Sequence, residues 1–459
     1  MEKQLPKNWV ESYLGDILEL KNGFAFKSKN YLEEGIPVLR ISEIKNEKIS
    51  LDKAVYVKES SDYEKYIVER GDILIAMSGA TTGKYGIYEN NQKAYQNQRV
   101  GNLRLYYDEL INKKFVYYLI GALKKEIEDK AYGGAQPNIS SKLIENTKFK
   151  LPPLAEQERI VAKLDSLFAE LDIIKERLAN IPTLLKNFRQ SVLNQAVTGK
   201  LTEEWREGKE LESFKLTKPE KRYRDLDLNL PEYWKIFSFE SIANIKSNLK
   251  NPKDYLNHIL VAPNHIEKNT GILAQIEYTR DIMPKSDKHF FKKGAIIYSK
   301  IRPYLNKVIL ADFDGLCSAD MYPITSEINR EYLFYYMLSS IFLSYATTAG
   351  ERSVLPKINQ KSLNIIPVPV PPLKEQQKIV KRIEALLKQA DNIQAHYEAL
   401  VKRIEVLPQA ILTKAFRGEL VPQLPTDGDA KELLAEIKKL KNAVSSSAVE
   451  NKKKRTVKK

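Results

Sequence analysis

Two short stretches carry the side chains best suited to gripping an anion or a base edge. Gly79-Ala80-Thr81-Thr82-Gly83-Lys84-Tyr85 follows a strand-like run, and with Ser78 ahead of it offers Ser78, Thr81, Thr82 and Lys84 as contacting groups. Its glycines stand one residue too close for a phosphate-binding P-loop and no Ser or Thr follows the lysine, so nucleotide binding of that kind is not expected. Two readings remain: a tight loop that glycine permits, and a loop that touches DNA phosphates or bases. The second stretch, Ser299 to Lys307 (SKIRPYLNK), interleaves Lys300, Arg302 and Lys307 with Ser299, Tyr304 and Asn306. That mixture suits phosphate and base-edge contacts, although a solvated charged loop has the same composition.

Evidence for catalysis is thinner. Glu156 and Glu375 each lie in Pro-Pro-Leu-x-Glu-Gln, where a carboxylate in the first turn of a helix is explained by the helix dipole. Asn251-Pro252-Lys253-Asp254 shares its start with the Asn/Asp-Pro-Pro-aromatic motif of amino-methyltransferases but lacks the second proline and the aromatic, and reads as a turn. No Gly-x-Ser-x-Gly, His-Glu-x-x-His or dinucleotide-binding glycine fingerprint occurs. One cysteine, Cys317, and four scattered histidines give neither a disulfide framework nor metal-ligand spacing. A non-catalytic, metal-free binding protein of the cytoplasm is expected.

The chain of 459 residues has 74 Lys plus Arg against 59 Asp plus Glu, a net charge of +15, which favours a polyanion such as nucleic acid. Six of the basic residues fall in Lys452 to Lys459, and about +9 remains without them. No apolar run approaches the roughly 18 residues needed to span a bilayer, and the N-terminus lacks a signal-like apolar stretch.

The elements that must position these loops are written twice. LPPLAEQERIVAKLD at 151–165 returns as VPPLKEQQKIVKRIE at 370–384, a shift of about 219 that also carries Pro137-Asn138-Ile139 onto Pro356-Lys357-Ile358 and Ala196–Leu201 onto Ala415–Leu420. Upstream, Leu5, Pro6 and Trp9 answer Leu230, Pro231 and Trp234, and Gly71 answers Gly294, at shifts near 225 and 223. The segments are a first domain at 1–150, a helical segment at 151–202, a linker at 203–224, a second domain at 225–369, a second helical segment at 370–421 and an extension at 422–459.

Each helical segment shows a 4, 3 spacing of apolar residues: Ile160, Leu164, Leu167, Leu171, Ile174 and Leu178 in the first, Ile379, Ile383, Leu386, Ala390, Ile393 and Tyr397 in the second. These are heptad seams, and their match predicts helices that pair with each other. Only antiparallel pairing puts the end of the first helix beside the start of the second, which the intervening domain must join. Pro182 and Pro408 predict a kink or break in each helix. Runs Gly35–Ile41, Asp72–Met77, Ala295–Tyr298 and Lys307–Leu310 read as strands, Phe115–Lys124 and Glu331–Phe342 as helices. The fold class is α+β, with two similar mixed α/β domains separated by two long antiparallel helices in a pseudo-two-fold repeat. Ala430–Val444 reads as a short amphipathic helix leading into a flexible basic tail with nonspecific DNA attraction.

Taken together, NGFAFKSK at Asn22–Lys29, GIPVLRISEI at Gly35–Ile44, KIRPYLNK at Lys300–Lys307 and the duplicated PPLxEQxxIV with its later Gly-x-Leu resemble the specificity subunits of type I restriction-modification systems. The resemblance covers nearly the whole chain. It implies two target-recognition domains that each read one half of a bipartite double-stranded DNA target, and helices that set the gap and hold the methyltransferase subunits. Lys27, Lys29, Arg40 and Arg99 are further candidate DNA contacts. The resemblance further implies modification subunits that bind S-adenosylmethionine and methylate adenine, and restriction subunits that use ATP and Mg, with no cofactor on this chain; two similar docking ends favour two modification subunits. A standalone sequence-specific DNA-binding protein and a coiled-coil scaffold without DNA affinity are the alternatives.

Overall fold

The computed structural model describes residues 6–45, 47–79, 81–131, 138–216, 223–348 and 356–456, those from 444 onward by backbone alone. Leu5, Ala80, Pro137, residues 217–222 of the linker and the last three residues of the basic tail lie outside this set. The chain forms two compact units, Met1–Arg177 with Leu400–Lys459, and Leu178–Ala399. These units do not follow the linear segments, because each holds one α/β domain, the start of one long helix and the end of the other.

In the first unit, Val10–Tyr13 pairs antiparallel with Lys148–Leu151. The main sheet runs in the order Leu18–Asn22, Val100–Leu105, Ile73–Ala76, Tyr85–Ile87, Lys48–Ile49, Ile44–Lys45, and a four-stranded sheet joins Val55–Val57, Ile36–Leu39, Ala94–Gln96 and Ile67–Val68. The second unit repeats the plan. Lys235–Ser238 pairs with Pro367–Val370. Ala243–Ile245, Met321–Ser326, Ile296–Ser299 and Val308–Leu310 form one sheet, and Leu249–Lys250, Lys288–Phe291, Gly315–Cys317 and Ile259–Val261 the other. The four strands expected from sequence are present within a residue or two of their anticipated ends. The helix expected at Phe115–Lys124 is longer, Lys113–Ala131, and that at Glu331–Phe342 is two helices, Arg330–Leu338 and Ser340–Thr348, because Ser339 is extended.

Both units show why Pro-Pro-Leu-x-Glu-Gln recurs. Trp9 Nε1 donates to Glu156 Oε2 at 2.9 Å, and Trp234 Nε1 to Glu375 Oε2 at 3.0 Å, all four side chains being buried. Gln157 accepts from the Asn112 backbone at 3.0 Å and donates to the Pro152 carbonyl at 3.0 Å. Gln376 does the same with Asn329 at 2.9 Å and Pro371 at 2.8 Å. Asn112 and Asn329 in turn cap the domain helices that follow them. The glutamates are therefore buried acceptors that join domain to helix, a role beyond the dipole interaction expected from their helix-start position.

The long helices differ at their prolines. The first breaks into Leu154–Ala179 and Ile181–Val197, with Pro182 in the opening turn of the second piece, where its missing N–H is harmless. The second runs unbroken for 43 residues, Leu373–Ala415, through Pro408. Asn180 and Pro182 both disfavour an uninterrupted helix, whereas Leu407, Gln409 and Ala410 favour helix and carry it across the proline. Within the first unit Ile160 and Leu164 share a core with Ile411, Leu412 and Ala415; within the second, Val192 and Ala196 share one with Ile379 and Ile383. Each unit thus packs the start of one helix with the end of the other, as antiparallel pairing requires. Ile160, Leu164, Leu171, Ile379, Ile383 and Ala390 are buried, and Leu167, Leu178, Leu386 and Tyr397 half-buried. Ile174 and Ile393 are 46% and 50% exposed. The seam is closed where domain helices flank it and open at these two positions.

The amphipathic helix expected at Ala430–Val444 is present, runs further than expected and docks on the first unit. It spans Ala430–Thr456, and Ala430, Leu434 and Ile437, spaced along one face, enter the core of the first unit. Asp427 receives Arg159 through two hydrogen bonds of 2.6 and 2.7 Å, Lys438 pairs with Asp16 at 3.3 Å, and Lys441 Nζ donates to the Gly15 carbonyl at 2.8 Å. Apolar burial and paired charges, not net positive charge, govern this segment up to Lys441.

The two glutamates are not equally satisfied. Glu375 Oε1 also accepts from Thr202 Oγ1 and from Arg206 Nη1, each at 2.7 Å. The equivalent places in the other unit fall at Val421 and Pro425, and Glu156 Oε1 is buried without a well-formed hydrogen bond among the described residues, Gln423 giving a weaker polar contact. Burial pushes the Glu156 carboxyl above its ordinary range and Asp427 adds to the shift. Glu375→Gln, which takes the carboxylate from Arg206 and leaves it the Gly199 carbonyl and Thr202 hydroxyl, is expected to destabilise the second unit by about 3 kcal/mol, read by urea unfolding with tryptophan fluorescence. Glu156→Gln is expected not to lower stability at neutral pH. A raised carboxyl pKa favours the protonated folded state, so charged Glu156 costs stability as pH rises, and the difference between wild type and Glu156→Gln should shrink as pH falls through that pKa.

Candidate nucleic-acid interface

In each domain three chain segments meet beside the central strand of the main sheet. The first is a hairpin tip, closed by Ala76 N donating to Lys84 O at 2.7 Å in one domain and by Ser299 N donating to Lys307 O at 2.9 Å in the other. The second is a turn, held where Met77 N donates to Arg99 O at 2.9 Å and Lys300 N to Asp320 O at 3.0 Å. The third is the extended stretch around Asn138 and Lys357, bridged to Ser78 and Ile301 and anchored by Ile139 N to Met77 O at 2.7 Å and Ile358 N to Lys300 O at 2.9 Å. The loops singled out in the sequence are therefore equivalent parts of one repeated surface.

The hairpin backbones match as well. Both need a left-handed residue at two places, which are Gly79 (φ 87°) and Gly83 (φ 84°) in the first domain and Arg302 (φ 47°) and Asn306 (φ 42°) in the second. Glycine takes this region without steric cost, whereas a side chain crowds its own backbone there. The first hairpin thus exchanges side chains for ease of folding, and the second keeps them.

In the first domain, Ser78 and Arg99 line an open cleft of about 450 Å³ with Asn22, Gln98, Asn138 and Lys142. Lys84 and Arg99 are exposed, as are Lys27 and Lys29 on the segment leading to the four-stranded sheet. Thr82 Oγ1 donates to the Gly79 carbonyl at 2.6 Å and stabilises the loop, while Thr81 Oγ1 is buried without a partner among the described residues. Arg40 is committed elsewhere: its guanidinium contacts Glu43 at 2.9 and 3.3 Å and the Lys53 carbonyl at 3.0 Å, which makes it a clamp on its own turn.

In the second domain, Arg302 and Tyr304 are exposed at the hairpin tip. Lys300 Nζ donates to the Ala319 carbonyl and lies 5.3 Å from the centre of the Tyr322 ring. Lys307 Nζ donates to the Pro263 carbonyl at 2.6 Å. Ser299 is buried and its hydroxyl donates to the Ile301 carbonyl at 3.1 Å, a structural contact. Burial, then the neighbouring Lys357, pushes Lys300 below the usual lysine range; burial, then Arg302, does the same to Lys307. Like charges crowded at one edge, with Asp320 paired to Lys357 at 3.5 Å, make a surface that gains from an anion.

The third segment was missed as a site in the sequence. Asn138 and Lys142 in one domain and Lys357 in the other stand beside the hairpins, and the matched Pro137-Asn138-Ile139 and Pro356-Lys357-Ile358 were the available signal. Among the described residues, no group of three or more His, Cys, Asp or Glu could hold a metal ion, and no helix is long and apolar enough to cross a membrane.

The model for the type I restriction modification DNA specificity domain matches the chain twice, at residues 6–183 and 231–403. The EcoDI type I restriction enzyme specificity subunit of Escherichia coli is 38% identical over 428 residues, covering 92% of this chain and 90% of that protein. The EcoBI specificity subunit of the same organism is 29% identical, over 91% and 87%. Among solved structures, the HsdS subunit from Thermoanaerobacter tengcongensis aligns with a TM-score of 0.60 at 18% identity, covering 91% of this chain and 99% of that one. A chain from work on assembly and conformational transition of the type I R-M system aligns at 0.63 and 19%, over 91% and 100%.

Alanine at Lys300, Arg302 or Lys307 is expected to weaken binding to duplex DNA. Where the side chain meets phosphate alone, the slope of log affinity against log salt should fall by about one unit. Titrations at several salt concentrations check this; unchanged slope and affinity would leave the hairpin a solvated loop.

Proposed function

The chain belongs to the family of type I restriction-modification DNA specificity proteins, and we propose that each of its α/β domains reads one half of a bipartite double-stranded DNA target. It is the specificity subunit of such a complex. The observation that carries the half-site reading is the repeated surface: hairpin, turn and extended segment recur in both domains with the same backbone but different side chains. Equal scaffolds place the readers alike, and unequal tips, Thr81 and Lys84 against Arg302, Tyr304 and Lys307, give each domain its own sequence.

In this reading the long helices set the gap between half-sites and dock the methyltransferase subunits, two of them because each unit offers one helix start and one helix end. The partners carry the chemistry: modification subunits would hold S-adenosylmethionine and methylate adenine, and restriction subunits would use ATP and Mg. The complex acts in the cytoplasm, where the host DNA lies. Lys84, Arg99, Lys300, Arg302 and Lys307 supply the electrostatic hold, with Lys27 and Lys29 at the edge of the first domain.

Methylome sequencing of a host that expresses the chain with and without its modification subunit tests this. A bipartite adenine-methylated motif is expected only when both are present, and replacing residues 225–369 by another recognition domain is expected to change one half of that motif alone. Salt-sensitive DNA affinity without any methylated motif would favour a standalone binder, and loss of both would favour a scaffold.

A further inference from the structure

Asn306 is fully buried, and neither its Nδ2 nor its Oδ1 has a hydrogen-bond partner among the described residues. A buried amide with both ends unmade is costly in a resting protein. It also occupies a left-handed backbone position that its counterpart in the first domain, Gly83, fills without strain, and the same holds for Arg302 against Gly79. The second hairpin therefore carries two side chains where glycine would fold more easily. Between them the Pro303–Leu305 turn has a buried proline and an exposed tyrosine, and an open cleft of about 270 Å³ lined by Asn264, Arg302, Leu305 and Lys307 lies against it. Lys307, next to Asn306, directs its charge at the neutral carbonyl of Pro263.

We infer that Asn306 is a specificity-determining residue of the second domain, its amide reading the N7 and N6 edge of an adenine in the major groove once the 302–307 turn opens on DNA. A carboxamide sets one donor and one acceptor side by side and so matches that edge in two hydrogen bonds. Opening satisfies both amide atoms, relaxes two strained residues, and lets Lys307 and Arg302 exchange carbonyl and solvent for phosphate. The closed turn holds the reader away from solvent until the polyanion is present. The inference rests on the half-site reading above, and it is confined to the second half-site because the first hairpin has glycine at this place.

The test is methylome sequencing with the full complex carrying Asn306→Gly, which keeps the left-handed backbone and removes the amide, alongside thermal unfolding of the same variant. The expected result is that one A·T position of the second half-site becomes degenerate, its preference falling roughly tenfold or more. All other positions should persist, with no drop in melting temperature. Asn306→Asp, isosteric but without the donor, is expected to shift that position toward cytosine, whose N4 donates to a carboxylate. An unchanged motif in both variants, degeneracy at a G·C position, or uniform fading of the motif with a lowered melting temperature would each overturn the inference and leave the half-site reading standing. A wild-type complex without any bipartite motif would overturn that reading and the inference with it.

Discussion

A buried carboxylate at the start of each long helix, holding the indole N–H of a tryptophan from the adjoining domain, is the contact on which both units depend. A carboxylate taken from water needs donors, which Glu375 has at both oxygens, whereas Glu156 has the indole at one oxygen and a carboxyl pushed toward its protonated form. Trp9 and Trp234 bring in the domain's first strand, and the neighbouring glutamines bring in the helix cap at Asn112 and Asn329. One six-residue motif thus ties the opening strand, the domain helix and the long helix together. The tyrosines of the second domain reinforce the same joint: Tyr332 and Tyr336 donate to the carbonyls of Pro369 and Pro367 in a two-stranded sheet, where prolines are tolerated because one edge needs no ladder bonds.

The repeat is faithful in backbone and unfaithful in chemistry. Thr202 and Arg206 complete the shell of Glu375, whereas Glu156 has instead an Arg159–Asp427 pair nearby and a docked C-terminal helix. At the hairpins the first domain has glycines and the second has arginine and asparagine. On the proposed half-site reading one architecture serves two sequences by varying side chains at fixed places, and in the second hairpin those places carry the left-handed non-glycine residues Arg302 and Asn306.

Much of this was legible in the chain itself. The duplication, the helix starts, the strands flanking the hairpins and the basic character follow from local rules, because periodicity and turn chemistry act over a few residues and a repeat confirms each reading twice. The hairpins at Gly79 and Arg302 were recognisable as equivalent for the same reason. What the chain alone did not disclose depends on groups far apart in sequence. Glu156 reaches Trp9 across 147 positions and Arg159 reaches Asp427 across 268, so a helix-start glutamate and the C-terminal extension each acquired a role on folding that local sequence does not carry. Arg40, cationic and plausible as a DNA contact, is held by Glu43; Asn306, polar and plausible as an exposed reader, is enclosed. Composition and spacing decide which elements form and what their side chains are able to do. Burial decides which of those side chains are spent on the fold and which remain for a partner, because only the packed chain settles who competes with water for each polar group.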